Sequence, residues 1–342
     1  MSKREIIFSE PLPVQAGCQA WISFDIASPQ RGEIMIEHLR TRELLARECR
    51  PLAPGASTLE IKTHPEGSHI RCLLQADGKP IDGVRFNVDL GQPIEPTPQN
   101  FIVIGAMKAG TTTLFELLAQ HPAICRTWAH LPGISSAKEI NYFRKLYRKG
   151  DTPLHYDWRF PFDPARHAWT LDVSPGYAQW PGSKGVPAGI ASLGVNTKLA
   201  YILREPIDRI ESHLAHKVRR GGKTNLEHCI RTSRYAMQLD KFMAHIERDN
   251  ILLLDFEQLR RDPAVILAQV CDFLGIERFA SRSVIHNIRS IEFRLDPKQR
   301  AELAETLRPD VQRLINLYGF RPAERWFRRS ALSWIGLSAF RK

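Results

Sequence analysis

The sequence has no apolar run close to the ~18 consecutive residues that a membrane-spanning helix needs. Its first residues contain no apolar core of the kind found in a signal peptide. Its six cysteines are scattered and form no C-x-x-C pair, which argues against a zinc site and a disulfide framework. That spacing is typical of a reducing compartment. We therefore expect a bacterial cytoplasmic protein that needs no metal.

Positive charge, in contrast, is present in excess. The 342-residue chain has a formal net charge of +11. The first 95 residues hold slightly more acidic than basic side chains, so the excess lies entirely in the rest of the chain. A basic region favours anionic partners such as phosphates, acidic polymers or an anionic membrane, and simple solubility is the alternative explanation. The acidic balance of the N-terminal part argues against nucleic acid.

Two hydrophobic patterns divide the chain. Before residue 95, short alternating runs separated by Gly, Pro, Asn and Asp predict a small all-β sandwich. The proline-rich segment 91–100 marks a boundary because proline breaks a strand ladder. From residue 101, continuous apolar runs alternate with helical patterns, which predicts an α/β fold with a P-loop-type parallel sheet flanked by helices. The predicted domains are residues 1–95 and 96–342.

The segment GAMKAGTT, residues 105–112, follows an apolar strand and precedes a helical pattern. A Walker A loop reads G-x-x-x-x-G-K-[ST]. Gly105 and Gly110 have this spacing, but Thr111 occupies the lysine position and the lysine is Lys108, within the loop. Such a loop can bind phosphate through its backbone N–H groups at the positive end of a helix. An ordinary strand-to-helix turn is the alternative.

The displaced lysine changes the expected chemistry. Without a lysine after the second glycine, the usual clamp on the β- and γ-phosphates of a nucleoside triphosphate is missing. Lys108 on the crown of the loop could instead neutralise charge on a leaving oxygen. This arrangement suits group transfer from a phosphate-linked donor. A small-molecule kinase with an altered loop is an alternative, since Asp255 ends the apolar run LLLD and could hold Mg²⁺.

A second constellation is YILREPIDRIESH, residues 201–213. Arg204 ends an apolar strand, which is where α/β sheets present ligand-binding groups. Ser212 follows in the next predicted helix, so an arginine and a hydroxyl could hold a second phosphate. An arginine that makes only surface ion pairs is the alternative.

These two segments in this order resemble the family of sulfotransferases that use 3′-phosphoadenosine 5′-phosphosulfate (PAPS). The first is similar to the family's 5′-phosphosulfate loop, and the second to its 3′-phosphate motif R-[DE]-P-x-x-R-x-x-S. Residues 136–143, SAKEINYF, resemble the K-E-x-x-[FY]-F element of the carbohydrate (heparan-sulfate-type) branch. VSPGY, residues 173–177, resembles its S/T-P-x-Y segment. The resemblance covers about residues 100–320.

The resemblance implies transfer of a sulfuryl group from PAPS to an acceptor hydroxyl, with adenosine 3′,5′-bisphosphate as the product. Arg204 and Ser212 would hold the 3′-phosphate. Lys108 would stabilise the leaving oxygen, Glu139 would act as general base, and Lys138 would contact the donor or acceptor. The residues that would hold the 5′ side of the donor are Lys108, Ala109, Gly110, Thr111 and Thr112.

The sequence also departs from the family pattern. Val173 stands where the carbohydrate branch often has a lysine before S/T-P, so a donor-side or acceptor-side contact is either lost or supplied by another residue. Members of the family also have a glycine-rich basic loop late in the domain that helps to hold the 3′-phosphate. No such loop is obvious in this sequence, and Arg282, Arg289 and Arg294 are the candidates for its basic residues. His213 and His216 are either alternative bases or helix-surface residues.

The acceptor is expected to be a glycan. Trp128, Trp158, Trp169 and Trp180 could stack on sugars, although core packing explains each of them equally well. A non-catalytic module that binds anionic glycans through the β-sandwich is a further alternative. The C-terminal segment 325–342, rich in arginine and aromatic residues, could lie peripherally on the inner membrane or pack on the protein.

Overall fold

The structure is a computed structural model. It describes residues 8–9, 11–29, 31–40, 43–81, 84–93, 99–127, 138–145, 147, 153–194, 196–282 and 293–327. The described residues form two compact units. The first holds those up to residue 93 together with residues 127 and 153–162, and the second holds the others. The predicted boundary after residue 95 stays a prediction.

The elements follow in chain order. The strands are β1 Leu12–Pro13, β2 Cys18–Phe24, β3 Gly32–Arg40, β4 Glu43–Pro51, β5 Thr58–Lys62, β6 His69–Ala76, β7 Lys79–Pro80, β8 Phe86–Pro93, β9 Asn100–Gly105, β10 Ile124–Arg126, β11 Trp169–Val173, β12 Thr197–Leu203 and β13 Ile251–Asp255. The α-helices are α1 Thr111–Leu118, α2 Tyr142–Lys145, α3 Pro153–Asp157, α4 Val186–Ala191, α5 Pro206–Arg219, α6 Leu226–Arg231, α7 Tyr235–Met243, α8 Phe256–Arg261, α9 Pro263–Leu274 and α10 Pro297–Tyr318. Short 3₁₀ turns span Arg248–Asn250 and Arg321–Arg325.

The first unit contains two antiparallel sheets. One has the order β1-β6-β3-β4, with β7 paired to β6, and the other has the order β5-β2-β8. Alternate residues of β2, among them Ala20 and Ile22, are fully buried and pack in one apolar cluster with Ile34 and Ile36 of β3. This alternation is the period-2 pattern that the sequence shows. The predicted linker begins later than expected, because β8 pairs with β2 as far as Pro93.

The second unit is built on a five-stranded parallel sheet with the order β10-β11-β9-β12-β13. Every residue of the central strand β9 is buried, as its continuous apolar sequence predicts. Helices follow β9, β12 and β13 directly, so the predicted α/β fold is confirmed. None of the helices in the described ranges combines the length and hydropathy needed to cross a bilayer.

Two strands of the parallel sheet were not predicted. They are β10 and β11, which lie on one side of β9, and only the segment after β11 was singled out in the sequence. The apolar run of β11 is interrupted by Asp172, which is nevertheless fully buried. In the first unit, β4 was missed as well, since its sequence ELLARECRP contains four charged residues.

Candidate active site

The loop between β9 and α1 begins at the carboxyl edge of the parallel sheet. Gly110 lies immediately before α1 in the left-handed conformation, with φ of 81°. A Cβ atom there would lie 3.0 Å from Cδ2 of Phe256, so both the backbone angle and the space favour glycine. Lys108, on the crown, also has a positive φ, of 69°, which is uncommon for a residue with a side chain.

Two arginines hold consecutive carbonyl groups of this loop. Arg204 Nη1 donates to the Lys108 carbonyl at 3.1 Å, and Arg209 Nη1 donates to the Met107 carbonyl at 3.4 Å. The backbone N–H groups of Thr111 and Thr112 have no acceptor in the described part of the chain, as expected in the first turn of a helix. The loop therefore offers donors to an anion while its carbonyls are held elsewhere.

Positive charge is concentrated around Lys108. Burial, together with the charges of Arg219, Arg220, Lys138 and Arg204, lowers the pKa of Lys108 from its ordinary 10.5 to about 8. Within the described ranges, Lys108, Arg204, Arg219 and Arg220 make no ion pair with a carboxylate. Like charges held together without partners repel one another, so this cluster favours a bound anion.

Lys138 connects the predicted base to the loop. Its Nζ lies 2.9 Å from Glu139 Oε1, 3.0 Å from Thr112 Oγ1 and 3.3 Å from Thr111 Oγ1. The side chain of Lys138 is 11% exposed and that of Glu139 is 33% exposed, so the carboxylate remains accessible to a ligand. The structure thus brings four predicted site residues into one hydrogen-bonded group.

The segment that carries Glu139 is anchored to the end of β11. The Val173 N–H donates to the Lys138 carbonyl at 3.3 Å, and the Asn141 N–H donates to Ser174 Oγ at 2.9 Å. Ser174 Oγ in turn donates to the buried carboxylate of Asp172 at 2.6 Å. Val173 itself is fully buried in the apolar core.

Arg204 has an unusual environment for an arginine. Its guanidinium lies 4.8 Å from the ring centre of Phe256, and burial lowers its pKa. Its Nε is buried and has no hydrogen-bond partner among the described residues. Ser212 lies half-buried in α5, and its hydroxyl likewise has no partner in the described ranges. No hydrogen bond joins the side chains of these two predicted phosphate ligands, both of which lie in the described ranges.

The two histidines are poor candidates for a general base. Burial and the nearby charges of Arg209 and His228 lower the pKa of His213 to about 3, and its Nδ1 lies 3.4 Å from Cys229 Sγ. Burial and the charge of Lys108 lower the pKa of His216 to about 4. Imidazoles with such pKa values accept protons only weakly at neutral pH.

Several other candidates have structural contacts. Arg294 pairs with the buried carboxylate of Glu211 at 2.8 Å, and Asp255 pairs with Arg325. Trp158 and Trp169 are almost fully buried, whereas Trp180 is half-buried beside two lysines. Arg289, Trp128 and the C-terminal segment from 328 lie outside the described residues. In the described ranges, no group of three or more His, Cys, Asp or Glu side chains is arranged to hold a metal ion.

Sequence reasoning missed Arg209, Arg219 and Arg220. Arg209 is part of the second motif, but nothing local in the sequence shows that its side chain is buried and reaches the loop. Arg219 and Arg220 lie at the C-terminal end of α5, where basic residues are common because they complement the helix dipole.

The comparisons with known proteins agree with this geometry. A profile of the family described as "Sulfotransferase domain" matches residues 98–308. The bifunctional heparan sulfate N-deacetylase/N-sulfotransferase 4 of Mus musculus is 29% identical over 200 residues, which cover 52% of this chain and 22% of that protein. The heparan sulfate glucosamine 3-O-sulfotransferase 3B1 of Mus musculus is 27% identical over 196 residues, which cover 52% of this chain and 46% of that protein.

A solved structure extends the likeness to the fold. The sulfotransferase from Alicyclobacillus acidocaldarius aligns with a TM-score of 0.53 and 22% identity, covering 66% of this chain and 99% of the other. The chain spans only about a fifth of the length of the N-deacetylase/N-sulfotransferase 4 that it matches. Because the family profile covers more than half of the sequence, the chain belongs to the sulfotransferase family.

Proposed function

We propose that the protein transfers a sulfuryl group from PAPS to a carbohydrate acceptor. One observation carries the proposal: Lys108, which makes no ion pair with a carboxylate in the described part of the chain, lies among cations on the crown of a phosphate-type loop that has Thr111 in the Walker lysine position. A lysine on the crown can stabilise charge that develops on a leaving oxygen. The heparan sulfate relatives support a carbohydrate as the acceptor, through either a hydroxyl or an amine.

The residues present fit a donor with two phosphate sites. The unused N–H groups at the start of α1 and the hydroxyls of Thr111 and Thr112 suit the phosphate next to the sulfuryl group. The Nε of Arg204, which has no hydrogen-bond partner among the described residues, and the hydroxyl of Ser212 suit the second phosphate. When bound, PAPS supplies a sulfuryl group attached to a phosphate oxygen, whose bond breaks as the acceptor oxygen or nitrogen bonds to sulfur.

Glu139 is the proposed general base. Its carboxylate would take the proton of the acceptor hydroxyl or amine as that group attacks sulfur in line with the leaving oxygen. Lys138, 2.9 Å from Glu139 and 3.0 Å from Thr112, would keep the base next to the donor loop. Lys108 would stabilise the negative charge on the phosphate oxygen that departs.

The proposal also includes the N-terminal domain and the location of the protein. The two antiparallel sheets of the first unit, which share an apolar cluster, support a β-sandwich domain of residues 1–95. A cytoplasmic location, with the C-terminal segment 325–342 contacting the inner membrane, also remains part of the proposal.

The test is an acceptor panel with ³⁵S-labelled PAPS. Polysaccharides that differ only in carrying free or acetylated amino groups would distinguish transfer to nitrogen from transfer to oxygen. We expect label in at least one polysaccharide, its loss with Lys108→Ala, and its retention with Lys298→Ala, which removes an exposed lysine in α10. Tight binding of ATP and Mg²⁺ without binding of adenosine 3′,5′-bisphosphate would instead favour a kinase.

A further inference from the structure

Arg209 is a buried cation whose role no catalytic assignment explains. Only 1% of the residue is exposed, and it makes no ion pair with a carboxylate in the described ranges. Its charge is compensated by hydrogen bonds instead: Nε donates to Ser233 Oγ at 2.8 Å, and Nη2 donates to the Cys229 carbonyl at 2.6 Å and to Thr232 Oγ1 at 3.1 Å. A buried guanidinium is costly unless its donors are satisfied in this way.

These three bonds fix the guanidinium to the corner between α6 and α7. The remaining Nη1 reaches the phosphate-binding loop, where it donates to the Met107 carbonyl at 3.4 Å. Because the guanidinium is planar and rigid, fixing one edge also fixes the direction of the other edge. Arg209 is therefore a rigid link between that corner and the loop.

The bonded carbonyl matters because of where it lies in the chain. The peptide plane that contains the Met107 carbonyl also contains the Lys108 nitrogen, so holding this carbonyl restricts φ of Lys108. The next peptide plane contains the Lys108 carbonyl, to which Arg204 donates a hydrogen bond at 3.1 Å. Holding that carbonyl restricts ψ of Lys108. Lys108 has a φ of 69°, a conformation that persists only when its surroundings impose it.

We propose that Arg209 is a positioning residue that holds Lys108 in its left-handed conformation and so directs the ammonium toward the leaving oxygen. The proposal rests on the proposed function for its catalytic consequence. Geometry rather than charge carries the effect, because the charges that lower the pKa of Lys108 most are those of Arg219, Arg220, Lys138 and Arg204.

The test compares Arg209→Lys with Arg248→Lys. Arg248 is a suitable control, because its guanidinium also bonds backbone carbonyls, those of Ile251 and Tyr318, and makes no bond to the loop. For Arg209→Lys we expect kcat to fall by about 10- to 100-fold, the size of effect that a 1 Å misplacement can have. The KM for PAPS should change far less. The fall in activity expected above about pH 8 from the pKa of Lys108 should occur at the same pH as in the wild type. Arg248→Lys should lower the melting temperature at most.

A second readout does not depend on turnover. Hydrogen exchange of the backbone N–H groups in residues 106–112 should become about tenfold faster in Arg209→Lys and stay unchanged in Arg248→Lys, because a released carbonyl allows the loop to open. Unchanged exchange in a folded Arg209→Lys protein would overturn the proposal. If that variant does not fold, Ser233→Ala, which removes the Nε bond and the bond from the Ser233 hydroxyl to the Cys229 carbonyl, should show the same change at smaller size. No change in exchange in that variant would overturn the proposal equally.

The outcomes also separate this inference from the proposed function. A wild-type protein that sulfates no acceptor would refute the proposed function, while the exchange experiment would still test the link to the loop. Wild-type turnover with an unchanged kcat in Arg209→Lys would refute only the role of Arg209.

Discussion

The pKa of Lys108 gives a prediction that can be worked through in numbers. A pKa of about 8 in place of 10.5 means that burial and neighbouring cations disfavour the ammonium by on the order of 3 kcal/mol. The charged form is the one proposed to act, so kcat/KM should fall as the pH rises through about 8. At pH 9, roughly a tenth of the lysine would still be charged.

Bound donor should shift this alkaline fall in activity, the alkaline limb of the pH profile, to higher pH. The negative charge of PAPS favours the ammonium, so the alkaline limb of kcat should lie at higher pH than the limb of kcat/KM, which reports the free enzyme. Removing a neighbouring cation acts in the same direction: Arg219→Gln should move the limb of kcat/KM upward. The assay is the initial rate of ³⁵S transfer measured between pH 6 and pH 10.

Lys108→Arg decides whether the limb belongs to this residue. A guanidinium stays charged throughout this range, so any activity that remains should lack the alkaline limb. Lys298→Ala should leave the limb where it is in the wild type. A limb near pH 8 that persists in Lys108→Arg would refute the assignment, and so would a limb that does not move in Arg219→Gln.

Three further predictions concern the same site. Glu139→Gln should lower kcat by about 10²- to 10⁴-fold with little change in bisphosphate affinity, measured by rates and calorimetry; equal losses of both would contradict its role as base. Gly110→Ala should lower the free energy of unfolding by more than about 1 kcal/mol and weaken bisphosphate binding. Gly275 is also left-handed but has open space where a Cβ would lie, so Gly275→Ala should lower the free energy of unfolding less and leave binding intact. Thermal unfolding and calorimetric titration measure the two effects. Between pH 8 and 10.5, Lys108 binds more protons in the unfolded than in the folded protein, so the free energy of unfolding should rise with pH across that range. Over the same range the increase in melting temperature caused by the bisphosphate should shrink, because the folded protein loses the positive charge of Lys108.

Local patterns were sufficient to predict the elements that hold the donor loop. A continuous apolar strand, two spaced glycines and an apolar helix stripe are all local signals, and together they predict β9, the loop and α1. The second motif was recognised in the same way, because Arg204 lies directly after an apolar strand. The position of Lys138 between Glu139 and the two threonines could not be predicted, since β11 brings that segment to the loop from elsewhere in the chain.

The missed features depend on long-range contacts. Arg209 is buried because its partners Cys229, Thr232 and Ser233 come from the end of α6 and the turn that follows it, at least 20 residues away in sequence. β11 is a strand although Asp172 interrupts its apolar run, because Ser174 and Tyr177 satisfy that carboxylate with hydrogen bonds. Neither burial can be inferred from hydrophobic periodicity, which counts charged residues as exposed.

The attachment of the Glu139 segment to β11 has a consequence for engineering. The bonds from Val173 to the Lys138 carbonyl and from Asn141 to Ser174 fix the proposed base to the sheet, on the C-terminal side of residues 128–137. Ser174 holds the Asn141 N–H from the end of β11, so a substitution there would act on the proposed base from outside the donor loop. Variants of Ser174 would therefore adjust the placement of Glu139 while leaving the residues of the loop unchanged.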